Sequence, residues 1–76
     1  MDIKTFFKEK DLPLKQWEIK DGENNLHIID TKAVIKFLID NPNEQIKETL
    51  AKIDIMNGDL YPFLFHIAKF MVEQNG

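Results

Sequence analysis

The chain has 76 residues, a formal net charge of −3, 43% apolar and 30% charged side chains, and no cysteine. That length suits a single domain, that balance belongs to a chain that folds, and the missing thiols exclude disulfides and thiolate metal sites. All ten basic residues are lysines, so no guanidinium fork is present for phosphate, guanine or carboxylate, and the mild acidity disfavours nucleic acid and anionic membranes.

The opening residues Met1 to Lys4 have neither the basic region nor the apolar region of a secretion signal, so a cytoplasmic location is expected. From Asp2 to Lys10, Ile3, Phe6 and Phe7 share one helical face, with Asp2 as N-cap. Pro13 closes that element. From Lys15 the period becomes alternating: Gln16, Glu18 and Lys20 interleave with Trp17 and Ile19, as in a half-buried strand. Asp21 to Asn25 is a dense turn signal and Leu26 to Asp30 a second apolar run, which predicts a β-hairpin. A lone hairpin is marginal, so its apolar face must lie on helices. Trp17 is expected there, packed with Ile19 and with Ile28 or Leu26. An exposed anchor for a partner is its alternative role.

Asp30 or Thr31 should cap a helix running to about Ile39, broken by Asp40 to Asn43. Asn41 as N-cap, Pro42 at the first position and Glu44 at the third then predict the start of the next helix. Ile46, Leu50 and Ile53 form its apolar face, and Glu48 and Lys52 are spaced for an ion pair on the other side. Asn57-Gly58 is its stop, with Gly58 expected in the left-handed conformation. Asp59 caps the last helix, and Pro62 falls in its first turn, where no amide hydrogen bond is lost.

That last helix is the informative element. From Leu60 to Val72 only His66, Lys69 and the Tyr61 hydroxyl interrupt an apolar surface. Pro62, His66, Lys69 and Glu73 share one narrow stripe, which is expected to reach solvent. A helix apolar around most of its circumference is ordinarily a buried central helix. A chain this short has few elements with which to wrap one, so a partner or homodimer interface is the second expectation. Membrane contact is disfavoured, because the segment covers about 20 Å against a hydrocarbon core of ~30 Å.

Catalytic and metal chemistry find little support. His27 and His66 have no second ligand at metal-site spacing. Asp54 to Asp59 superficially suggests a calcium loop, but the glutamate position falls on Leu64. There is no serine or cysteine nucleophile, and Thr5, Thr31 and Thr49 suit capping or helix-surface roles. A helix-turn-helix reading fails because the second helix offers phenylalanines instead of base-contacting polar groups.

The expected fold is α+β: a small, mostly helical domain of order α-β-β-α-α-α, its β-hairpin packed against a helical bundle that ends in a helical hairpin. The expected function is that of a non-enzymatic protein-interaction or regulatory adaptor without cofactor or metal, homodimeric through the C-terminal helix or bound to another protein. Trp17, Tyr61, Phe65, His66, Lys69 and Met71 are its candidate contact residues. Two alternatives fit the same composition. One is a phage or mobile-element inhibitor of one host protein. The other is a small-ligand binder with a pocket between hairpin and helices.

Overall fold

The computed structural model describes residues 2–75, apart from the side chain of Asn75. Its order is α1 (Ile3–Lys10), β1 (Gln16–Asp21), β2 (Asn25–Asp30), α2 (Thr31–Asp40), α3 (Glu44–Ile55) and α4 (Tyr61–Asn75), the α+β arrangement expected. The hairpin is an antiparallel two-stranded sheet. α1 packs on α2, α2 on β2 and α4, and α4 on β1. The core is built from Ile3, Phe6 and Phe7 of α1, Ile19 of β1, Val34 and Leu38 of α2, Leu50 of α3, and Leu60, Leu64, Ile67, Ala68 and Val72 on and just before α4. The shape is long, 39 × 22 × 18 Å. The exposed surface of 5640 Å² exceeds the ~4,900 Å² that mass scaling gives for this size, so the core is thinly covered.

The register of the hairpin decides which apolar residues reach the core. Asp21 pairs with Asn25 across a three-residue loop, so Ile19 faces His27 and Trp17 faces Ile29. β2 carries apolar residues on both of its faces, and a shift of one residue would exchange them. The expected packing of Trp17 with Ile28 or Leu26 is therefore corrected. Those two point outward, 60% and 53% exposed, and Ile29 is the cross-strand neighbour of Trp17. Gly22 opens the loop at φ +78°, a left-handed conformation that glycine adopts without steric cost.

The helix ends follow local chemistry, with some reassignments. Asp2 is the N-cap residue of α1, but its carboxylate accepts from the Thr5 hydroxyl and not from a backbone amide. Asp11, at φ 49°, ends that helix before Pro13 is reached. Asp30 caps α2 by accepting from the Ala33 amide at 2.8 Å. Its neighbour Thr31 is fully buried and bonded to the Lys15 backbone, so the capping or surface role expected for it does not hold.

α3 is capped by Asn43, whose Oδ1 accepts from the amides of Gln45 and Ile46. Asn41, the cap expected from the sequence, instead belongs to the end of α2, where its Nδ2 donates to the Phe37 carbonyl. Pro42 then lies between the helices, because the residue before a proline is disfavoured in helical geometry and the chain needs that stretch to turn. The ion pair formed on α3 is Lys47 with Glu44, not the expected Glu48 with Lys52. Lys10 pairs with Asp54 and ties α1 to α3 at the surface.

At the end of α3 the amide of Gly58 donates to the Ile53 carbonyl and that of Asn57 to the Asp54 carbonyl. This is the paired closure of a Schellman motif. The left-handed residue is Asn57, at φ 53°, not Gly58 as expected. Gly58 serves by being small, since a Cβ there would lie 3.2 Å from Ile53 Cγ2.

Candidate functional site

α4 is not wrapped all round: one face is buried and the opposite stripe is exposed. Asp59 accepts from the Tyr61 amide and sets its start. Leu60, Leu64, Ile67, Ala68 and Val72 form the buried face, spaced at i, i+4, i+7, i+8 and i+12. Pro62, His66, Lys69 and Glu73 lie opposite, all exposed. Between these extremes are two flanks, and each carries a surface feature.

On the first flank stands Phe65, with Lys69 reaching over it from the exposed stripe. Trp17, raised from β1, lies 6.2 Å from the Phe65 ring and 6.4 Å from the Tyr61 ring, measured between centroids. Both contacts are inclined, at 48° and 60°, as aromatic quadrupoles prefer. Trp17 and Tyr61 are half-buried, and Phe65 is 38% exposed. The Tyr61 hydroxyl donates to the Pro13 carbonyl at 2.5 Å, which fixes the ring against the segment leading into β1. Two ammonium groups bracket the rings: Lys15 Nζ sits 4.0 Å from the Tyr61 centroid, and Lys69 Nζ sits 5.8 Å from that of Phe65. The ion pairs among the described residues involve neither lysine.

On the second flank α3 and α4 diverge from their turn and leave an open cleft of about 700 Å³, closed at its third side by the end of α2. Its walls are Phe37, Ile46, Phe63, Ile67 and Phe70, and polar groups of Asn41, Asn43, Gln45, Thr49, His66 and Gln74 join them. The hairpin contributes nothing to this cleft. The inner face of the hairpin, where the sequence suggested a pocket, is filled by Trp17 and Ile19 against α4 and the rest of the core.

Of the six candidate contact residues, Trp17, Tyr61, Phe65 and Lys69 come together in one patch. His66 lies on the cleft side, and Met71 is half-buried against the core. Lys15 belongs to the patch although its place in the sequence, one residue before a strand, gave no reason to choose it. The cleft residues on α3 were equally hidden, because Gln45 carries no signal of its own and Thr49 suits a capping or helix-surface role until α4 is placed beside them. His27 is half-buried in the hairpin with Nε2 3.7 Å from the Asp21 carboxylate, a local contact of the sheet. Among the described residues no group of three or more His, Asp or Glu side chains is placed to hold a metal ion. No described helix is long and apolar enough to cross a membrane.

Comparison with protein-family models, with curated proteins and with solved structures finds no match to this chain.

Proposed function

We propose that this domain is a non-enzymatic interaction module, an adaptor or regulator that grips an acidic, apolar segment of another protein at the Trp17–Tyr61–Phe65 patch. The observation that carries the reading is the placement of Lys15 beside the half-buried Tyr61 ring and of Lys69 beside the exposed Phe65 ring, with no carboxylate partner among the described residues. Among the described residues only Lys10 and Lys47 of the ten lysines form ion pairs, so what sets Lys15 and Lys69 apart is their place beside an aromatic cluster, where they favour a partner that supplies carboxylates. Aromatic side chains of this kind dominate interface energetics, a buried anchor contributing ~2 kcal/mol or more. The lysines add orientation and encounter rate more than affinity.

Trp17 is the only tryptophan, so its fluorescence reports on the patch alone. A synthetic peptide alternating leucine and carboxylate side chains should change that emission saturably. Binding should weaken several-fold as salt rises from about 0.01 M to about 0.15 M, over which the Debye length falls from ~30 to ~8 Å. A peptide with lysines in place of the carboxylates should bind poorly. Equal binding of the two peptides would contradict the reading.

A further inference from the structure

The cleft on the other flank of α4 has a composition that the chain as a whole does not share. Charged side chains make up 30% of the sequence, yet none of the twelve described residues lining the cleft is a lysine, aspartate or glutamate. A charged ligand entering it would lose hydration, and the exposed His66 is the one ionisable side chain on those walls. The cleft volume, about 700 Å³, falls within the ~300–1,000 Å³ range of small-molecule sites.

Its apolar part is ordered. The rings of Phe37 and Phe70 meet at 6.2 Å and 62° across the α2–α4 junction, with Ile67 buried beside them. Its polar part is held in place by local bonds. Asn43 Oδ1 accepts from two backbone amides, which leaves its Nδ2 as a free donor. Asn41 Nδ2 donates to the Phe37 carbonyl, which leaves its Oδ1 as a free acceptor. These bonds settle which end of each amide is which and restrict both side chains before any ligand arrives, so less ordering remains to oppose binding.

We infer that this cleft binds a small uncharged organic molecule with an aromatic or aliphatic body and an amide-like hydrogen-bonding edge. The body lies against Phe37, Ile67 and Phe70, and the edge meets the acceptor of Asn41 and the donor of Asn43. This site is separate from the Trp17 patch and stands whether or not that patch binds a protein.

The test uses two probes of one shape, N-acetylphenylalaninamide and the carboxylate N-acetylphenylalanine, titrated into isotope-labelled protein while amide shifts are followed. The neutral probe should shift the amides of Asn41, Gln45, Thr49 and Phe70, with a dissociation constant near ~1 mM as fragment-sized ligands show. At about pH 8.5, where an ordinary imidazole is neutral, the anion should bind at least about 5-fold more weakly, in keeping with the missing counter-charge. Phe70→Ala, at a position 43% exposed, should weaken the neutral probe about 5-fold by removing ring contact. Gln45→Lys, on the exposed surface, should reverse the preference and favour the anion. Equal affinity for the two probes, no localised shifts, shifts at Trp17 and Phe65 instead, or slowed diffusion that marks a dimer would each overturn the inference.

Discussion

The Thr31 hydroxyl closes the open end of the hairpin by accepting from the Lys15 amide at 2.9 Å and donating to the Lys15 carbonyl at 3.1 Å. The Thr31 amide donates to the same carbonyl at 2.9 Å. One buried side chain thus joins the first residue of α2 to the chain entering β1, at the residue whose ammonium group lies beside Tyr61. Thr31→Val keeps the shape and removes the hydroxyl, leaving the Lys15 amide without its partner. It should cost about 2 kcal/mol, the scale of a buried unsatisfied donor. A domain of this size has roughly 4–11 kcal/mol in all, so urea unfolding resolves the difference readily. Thr31→Ser should cost clearly less. A valine variant as stable as the parent would show that the hydroxyl bonds contribute nothing.

The turn between α3 and α4 separates two residues that look interchangeable in sequence. Asn57 holds the left-handed conformation and Gly58 does not. Asn57→Gly should therefore be neutral or stabilising, whereas Asn57→Ala should cost ~1 kcal/mol through its Cβ. A change of that size shifts the melting temperature by ~4–8 °C in a domain this small. Thermal unfolding monitored by circular dichroism distinguishes the two. The opposite order would place the strain elsewhere.

The register makes a sharp contrast between neighbours on β2. Ile28 is 60% exposed, while Ile29 packs against the core opposite Trp17. Ile28→Lys should change stability by no more than ~0.5 kcal/mol, as surface substitutions do. Ile29→Lys should cost ~2 kcal/mol or more, because it forces a charge toward an apolar face. Comparable losses at both positions would indicate a different register.

These comparisons also show what local sequence can and cannot decide. The element order, the alternation on β1, the Asp30 cap and the buried face of α3 follow from residues within one or two turns of each other. The outward turn of Leu26 and Ile28 does not, since β2 is apolar on both faces and only the loop length selects one. The shift of the α3 cap from Asn41 to Asn43 was hidden because both are asparagines flanking Pro42, and only the bond from Asn41 to Phe37 separates their roles. The patch was half legible. Its aromatic residues stood out as excess apolar surface, but Lys15 enters through tertiary contact with Tyr61. The cleft was not legible, because tertiary contacts and not the local pattern decide whether the consecutive helices α3 and α4 close on each other or part beyond their turn.

Adjacent residues on α4 should respond oppositely. Leu64 is fully buried, so Leu64→Ala should cost ~2–5 kcal/mol from lost burial and the cavity left behind. Phe65→Asp, at the rim of the core, should cost ~1 kcal/mol or less and leave the fold intact. The pair separates structure from function on one helix, and denaturant unfolding of both variants measures it. A large loss at Phe65 would make that ring part of the core and remove it from the surface available to a partner.

The central claim is that the Trp17–Tyr61–Phe65 patch, with Lys15 and Lys69, is where a partner's acidic segment docks. Its most direct test is mapping backbone amide shifts while the acidic peptide is titrated into labelled wild-type protein and into Lys15→Glu/Lys69→Glu. Shifts should concentrate at residues 15–19 and 61–69, leave residues 41–49 unmoved, and vanish in the double variant while its spectrum stays folded. Shifts of equal size in the double variant, or shifts centred on the α3 wall of the cleft, would contradict the account.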